Sequence, residues 1–128
     1  MGDRIRVLIC DDVALLRELL RYELEEDDGI VVVGEADNGL DGVRLVDELR
    51  PDVVVLDLAM PGMDGLEALT LIREREQPPA VIVHSGFDAS MMRDRVLALG
   101  AAAYVEKGGN LGDVREAIRQ ALDGRARS

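Results

Sequence analysis

Short apolar runs alternate with amphipathic segments along the whole chain, and this alternation limits the possible folds more than any other feature. The five runs are Ile5–Cys10, Ile30–Val33, Val53–Leu56, Ala80–Val83 and Ala102–Val105. Runs rich in Val, Ile and Leu with little polar alternation are typical of strands buried on both faces of a parallel sheet.

The segments between these runs carry Leu, Val, Ile and Ala at helical spacing. Their apolar stripes span Leu15–Leu24, Leu40–Leu49, Leu66–Ile72, Met91–Leu99 and Val114–Leu122. Gly34 is expected to end the second strand, and the last helix is expected to stop near Gly124. The alternation of strand and helix predicts an α/β fold of the (βα)5 type with a five-stranded parallel sheet.

Length and charge limit the domain organisation and the possible partners. The chain has 128 residues, the size of one domain, so we expect a single domain with its core at about 4–123 and a tail or linker at 124–128. The net charge of −11 argues against direct contact of this domain with nucleic acid or an anionic membrane. We found no signal peptide and no apolar run of membrane-spanning length, which predicts a cytoplasmic protein.

Polar side chains follow four of the apolar runs. Asp11 and Asp12 follow the first, Asp57 the third, Ser85 the fourth, and Lys107 comes just after the fifth. Ligands of open α/β sheets bind at the carboxyl ends of the strands, so these groups are expected to meet at one edge. Clustered carboxylates favour a hard cation such as Mg²⁺, which also binds phosphate, and Lys107 and Ser85 suit the remaining phosphoryl oxygens.

The same residues match a known family. The acidic pair Asp11-Asp12, the stretch DLAMPGMDG that begins at Asp57, Ser85, and the sequence YVEK that ends at Lys107 occur in order on the expected strand ends. This pattern resembles the receiver domain of bacterial two-component response regulators. The sequence from Tyr104 to Gly124, YVEKGGNLGDVREAIRQALDG, is similar to receivers that precede a LuxR-type helix-turn-helix output domain. The resemblance implies a doubly wound, flavodoxin-like sheet with strand order 2-1-3-4-5.

The resemblance also implies specific roles at the site. Asp57 would be the phosphoacceptor, charged by a sensor histidine kinase or by a small phosphodonor. Asp12, Asp57 and the backbone carbonyl of Ala59 would bind Mg²⁺ or Mn²⁺, and Asp11 would act through a metal-bound water. Lys107 would pair with the phosphoryl group.

Signal output is implied in the same way. Ser85 would move towards the phosphoryl group and Tyr104 would turn inward in response. The family further implies a possible homodimer on phosphorylation, and contact with DNA only through an output domain that follows the receiver. The basic residues Arg125 and Arg127 favour the start of a linker to such a domain over a stand-alone receiver.

Two positions depart from the family pattern. Gly108-Gly109 follows Lys107 where relatives usually carry a proline, often after a cis bond, so we expect a looser loop and a less firmly placed lysine. Ala59 stands where many relatives have a polar side chain, which leaves water room but gives no group to orient it.

Structural roles compete with the functional ones. Asp11 and Asp12 are also suited to capping the first helix, Ser85 to leading into a helix, and Lys107 and Tyr104 to the surface. His84 and Cys10 are expected to be packed core residues. Two other functions compete with the switch. A Mg²⁺-dependent aspartyl-phosphate phosphatase would use the same nucleophile and normally needs an acidic residue at position 59, whereas an interaction module independent of phosphorylation would merely keep the fold.

Overall fold

Five strands and five helices alternate through the chain. The computed structural model describes the backbone of residues 3–127 and the side chains of residues 3–123. The strands are β1 (Ile5–Cys10), β2 (Ile30–Ala36), β3 (Val53–Leu56), β4 (Ala80–Ser85) and β5 (Ala103–Glu106). The helices are α1 (Ala14–Glu25), α2 (Gly39–Leu49), α3 (Gly65–Arg73), α4 (Ala89–Ala98) and α5 (Gly112–Arg127).

All strand pairs are parallel, and the sheet order is β2-β1-β3-β4-β5. The predicted (βα)5 architecture and strand order are therefore confirmed. Strands β1 and β3 lie side by side, with Cys10 in register with Leu56. Because the chain leaves β1 towards one edge of the sheet and β3 towards the other, the strand order reverses between them, where such sheets bind ligands.

Each strand sends alternate side chains to opposite faces, which produces two hydrophobic cores. In β1, Leu8 and Cys10 point to the core under α2, α3 and α4, whereas Val7 and Ile9 point to the core under α1 and α5. Burial on both faces explains why the strand sequences are mostly apolar, with Arg6 in β1 and Glu35 in β2 among the exceptions. Packing in the two cores fixes the positions of the strand ends. It therefore also places the residues that directly follow the strands.

The second strand is longer than the sequence predicted. It continues through Gly34 to Ala36, so Gly34 does not end it. Strand β1 offers partners along its whole length, and the register skips Val33 so that Leu8 pairs with Gly34. Pairing with the neighbouring strand outweighs the weak strand preference of one glycine.

Three other boundaries also differ from expectation. Strand β4 includes Ser85, and β5 includes Glu106, so each strand ends later than predicted. Helix α5 continues through Gly124 to Arg127, because a glycine followed by good helix formers and no proline does not stop a helix. The side chains of 124–127 and residue Ser128 lie outside the described residues, and the role of 124–128 as tail or linker stays a prediction.

The loop after β3 returns tightly onto its own start. A Cβ atom on Gly65 would lie 2.4 Å from the Cα atom of Leu58, so only glycine fits where α3 begins. Asp64 caps this helix by accepting a hydrogen bond from the Leu66 amide at 2.8 Å. The segment after Asp57 is therefore held in a defined path. Among residues 3–127, no helix is long and apolar enough to cross a bilayer.

Candidate functional site

Three carboxylates meet at the carboxyl ends of β1 and β3. The Asp57 amide donates to the Cys10 carbonyl at 2.9 Å, which places the residue after β3 beside the residues after β1. Carboxylate oxygens of Asp11, Asp12 and Asp57 all lie within 4.8 Å of one another. Asp11 and Asp57 are buried and Asp12 is exposed. The structure thus brings together the three acidic residues that the sequence singled out.

Lys107 enters the cluster from β5, on the far side of β4. Its Nζ lies 2.8 Å from Asp11 Oδ2 and 3.1 Å from Asp57 Oδ2, with 23% of its side chain exposed. The surface role for this lysine is therefore wrong. One ammonium group bridges two of the three carboxylates, and the acidic charge exceeds the basic charge at the site.

Burial and the excess of negative charge shift the pKa values of Asp57 and Lys107. Burial raises the pKa of the Asp57 carboxyl; the Ala59 amide and Lys107 act in the opposite direction without offsetting it, and the charge of Asp11 raises it further. For Lys107, burial alone would lower the pKa, but Asp11 and Asp57 outweigh it and raise the value. A second cation would lower the Asp57 pKa.

The donor set suits a hard cation. Within the part of the chain that the structure describes, the metal-ligating side chains that converge here are carboxylates, which favours Mg²⁺ or Mn²⁺ over a softer metal. One oxygen of Asp11 accepts from the Val13 amide at 2.9 Å, and one oxygen of Asp57 accepts from the Ala59 amide at 3.0 Å. Those bonds orient the two carboxylates. Helix α1 has Val13 at its N-cap without a side-chain cap, so neither aspartate of the pair caps it.

Ser85 is the last residue of β4 and Tyr104 lies in β5, and both contact the loop between β4 and α4. Ser85 is fully buried, and its Oγ accepts a hydrogen bond from the Phe87 amide at 3.1 Å. The Tyr104 hydroxyl donates to the Phe87 carbonyl. Both residues therefore contact the backbone of the same loop residue, Ser85 at its amide and Tyr104 at its carbonyl. Their movement in response to phosphorylation stays a prediction.

Glu106 was not singled out from the sequence, although it lies next to Lys107. Its carboxylate accepts a hydrogen bond from the Ala89 amide, the first residue of α4. A charged residue at the end of an otherwise apolar strand was the available signal.

Arg17 was also missed. Its side chain donates to the Asp11 carbonyl at 2.7 Å and to Glu35 at 3.0 Å, which ties the acidic loop to β2. Burial alone would raise the pKa of the Glu35 carboxyl, but the hydrogen bonds and charges of Arg21 and Arg17 leave it below its ordinary value. Arginine on a helix gives no sequence signal for such a contact.

The loop after Lys107 has no proline, and the described chain contains no cis peptide bond. Gly108 adopts φ of +95°, a conformation that favours glycine, and a Cβ there would meet no heavy atom within 4 Å. The looser loop and less firmly placed lysine expected from the sequence stay predictions.

His84 and Cys10 are core residues, as predicted. Burial, with a smaller contribution from the Lys107 charge, lowers the pKa of His84 to about 4. Its Nδ1 has no hydrogen-bond partner among the described residues. Burial raises the pKa of the Cys10 thiol to about 12, which leaves it protonated and unreactive.

Comparison with known sequences gives one consistent family. The model of the response regulator receiver domain matches residues 7–119. The transcriptional regulatory protein LiaR of Bacillus subtilis is 41% identical over 120 residues, which are 94% of this chain and 57% of LiaR. A protein-glutamate methylesterase/protein-glutamine glutaminase of Koribacter versatilis is 45% identical over 105 residues, 80% of this chain and 29% of that protein.

The fold comparison agrees. The receiver domain of the response regulator NarL from Mycobacterium tuberculosis superposes with a TM-score of 0.88 and 33% identity, covering 95% of this chain and 98% of that one. The chain thus matches a whole receiver structure, but about half the length of LiaR and under a third of the methylesterase.

Proposed function

Because this chain belongs to the response regulator receiver domain family, we propose that Asp57 is the phosphoacceptor of a phosphorylation-controlled signalling switch. The observation that carries the proposal is the placement of Lys107, whose Nζ lies within 3.1 Å of both Asp11 and Asp57. A buried carboxylate next to an ammonium group, with further carboxylates beside it, suits transfer of an anionic group.

In the proposed reaction, an Asp57 oxygen attacks the phosphorus atom of the donor. A phosphorus–oxygen bond forms to Asp57, and the bond between phosphorus and the leaving group breaks. The leaving group, which is the kinase histidine or the acetate of acetyl phosphate, keeps the electron pair of that bond. Lys107 would then exchange its contact with Asp57 for one with a phosphoryl oxygen. Ser85 would donate its hydroxyl to a second oxygen.

Asp12, Asp57 and the carbonyl of Ala59 would hold Mg²⁺ or Mn²⁺, with Asp11 acting through a bound water. When bound, the cation offsets the charge of the carboxylates and of the phosphoryl oxygens. The excess of acidic over basic groups within 4.8 Å supports this assignment.

We infer that the partner is a sensor histidine kinase, since receiver domains of response regulators accept phosphoryl groups from such kinases. The similarity to LiaR supports regulation of transcription through an output domain, with DNA contacted only by that domain. Action as a stand-alone receiver is the alternative. Dimerisation on phosphorylation through the α4-β5-α5 face, and location in the cytoplasm, belong to the same proposal.

An enzymatic function of this domain is not favoured. Position 59, where a phosphatase of this type needs an acidic residue, carries an exposed alanine. The methylesterase relative shares with this chain only 29% of its length. A module independent of phosphorylation would not need the acidic cluster, which costs stability. We therefore propose a switch rather than an enzyme.

Acetyl phosphate and Mg²⁺ provide the test. The protein should incorporate one hydroxylamine-sensitive phosphoryl group, measured by intact mass, and Asp57→Asn should incorporate none. Asp37→Asn, which removes an exposed carboxylate outside the cluster, is the matched control and should label normally. Labelling of Asp57→Asn at the unaltered rate would overturn the assignment.

A further inference from the structure

Two side chains on one face of β5 hold the loop between β4 and α4. Tyr104 and Glu106 are two positions apart in the strand and therefore point to the same side. The Tyr104 hydroxyl donates to the Phe87 carbonyl, and the Glu106 carboxylate accepts from the Ala89 amide. The loop that follows Ser85 is thus tied to β5 at two points.

Glu106 is also the residue directly before Lys107. In the sheet Ser85 is in register with Glu106, and the Lys107 amide donates to the Ser85 carbonyl at 2.8 Å. The backbone that carries the ammonium group is consequently bonded to the backbone that carries the serine hydroxyl. The Glu106 side chain extends that connection to the start of α4.

The chain on the other side of Lys107 supplies little support. Gly108 has no side chain, and a Cβ there would have open space around it. Gly109 follows without a side chain either. The Lys107 backbone is therefore supported mainly on its N-terminal side, where its amide donates to Ser85, while Asp11 and Asp57 hold its ammonium group.

Helix α4 needs a contact of this kind. Val96 is its one buried residue among the ten, and Met91 is 72% exposed. The Ala89 amide belongs to the first turn, where backbone donors have no partner within the helix. A helix with so little packing owes much of its placement to contacts at its ends.

We propose that Glu106 is a positioning residue for phosphoryl transfer, which fixes the end of β5 to the start of α4 and so holds Lys107 and Ser85 in place beside Asp57. The inference rests on the proposed function of Asp57. It assigns to Glu106 the support for Lys107 that the loop after it does not give.

Three variants separate the hydrogen bond from the charge. Glu106→Ala removes the acceptor, Glu106→Gln keeps an acceptor oxygen without the charge, and Glu76→Ala removes an exposed glutamate from the opposite end of the sheet as a control. We expect Glu106→Ala to slow phosphorylation by acetyl phosphate about fivefold, the value of one hydrogen bond. Glu106→Gln and Glu76→Ala should stay within about twofold of the original rate.

Amide hydrogen exchange in the unphosphorylated protein gives a second measurement. Glu106→Ala should accelerate exchange at both Ala89 and Lys107, whereas Glu106→Gln should not. Faster exchange at Ala89 alone in Glu106→Ala, with an unchanged phosphorylation rate, would show that Glu106 only caps α4. That result would overturn the proposal. Equal impairment of Glu106→Gln and Glu106→Ala would also overturn it, because the charge rather than the bond would then matter.

The two proposals can fail separately. If the original protein takes up no phosphoryl group, the proposed function of Asp57 fails. The exchange measurement still decides the inference, since unchanged exchange at Lys107 in Glu106→Ala would contradict it and faster exchange would support it.

Discussion

At the scale of single residues, the site is defined by a shortage of positive charge. Lys107 contacts Asp11 and Asp57, while Asp12 lies close to both with its side chain exposed. Like charges at such distances repel, and burial strengthens the repulsion by removing water. We therefore expect the cluster to destabilise the protein unless a cation offsets the carboxylate charges.

Asp12→Asn should therefore have opposite effects with and without Mg²⁺. In chelator, removing one of three clustered charges should raise the free energy of unfolding by about 1 kcal/mol, because repulsion is relieved. Mg²⁺ should stabilise the original protein by mass action and the variant far less. Urea unfolding in chelator and in excess Mg²⁺ measures both effects.

Asp28→Asn is the charge-matched control for that experiment, since Asp28 is exposed and lies in the turn before β2. Asp28→Asn should change neither the free energy of unfolding in chelator nor the stabilisation by Mg²⁺. An unchanged Mg²⁺ response in Asp12→Asn would show that this carboxylate does not bind the cation.

At the scale of elements, the two loops beside the site are held in different ways. The loop after β3 is fixed by backbone, since Gly65 packs directly onto Leu58 and its amide donates to the Leu58 carbonyl at 3.3 Å. The loop after β4 is fixed by side chains from β5, namely Tyr104 and Glu106. The path of the loop after β3 is fixed by close backbone contact between Gly65 and Leu58. The loop after β4 can be released from β5 by breaking individual hydrogen bonds.

Gly65→Ala tests the steric argument. The new Cβ would lie 2.4 Å from Leu58 Cα and 2.7 Å from its carbonyl oxygen, and backbone atoms cannot move aside cheaply. We expect a loss of about 2 kcal/mol in the free energy of unfolding, measured with urea. The cost arises from overpacking and not from a lost contact.

Gly86→Ala is the matched control, because a Cβ at Gly86 would meet no heavy atom within 4 Å. Its effect should stay within about 0.5 kcal/mol. Equal destabilisation by the two substitutions would contradict the steric explanation.

At the scale of the whole molecule, global stability depends on pH through His84. Folding lowers its pKa from 6.5 to about 4, mainly by burial. Between these values the unfolded chain binds a proton that the folded protein does not. The contribution of His84 to stability is therefore fully present above pH 6.5 and is lost as the pH drops towards 4.

His84→Gln should remove this component. At about 1.4 kcal/mol for each pKa unit, the original protein should lose about 3 kcal/mol more than the variant between pH 7 and pH 4. Urea unfolding at a series of pH values gives the comparison, and the difference between the two proteins cancels the carboxylates they share. Parallel pH profiles would show that His84 is not the group responsible.

The sequence alone determined the fold and the members of the acidic site. Burial on both faces makes each strand a run of apolar residues, so the first polar residue after a run marks a strand end, as Asp11 and Asp57 do. That logic depends only on local pattern and on the handedness of parallel connections. The sequence also predicted Lys107 just after the fifth run, although Glu106 comes first there and belongs to the strand.

Only the tertiary structure decided how these residues are supported. Strand β2 passes through Gly34 because β1 supplies partners. Arg17 and Glu106 hold parts of the site through contacts with segments distant in sequence. Such contacts depend on which surfaces the packed cores bring together, and a single sequence carries no local pattern that records them.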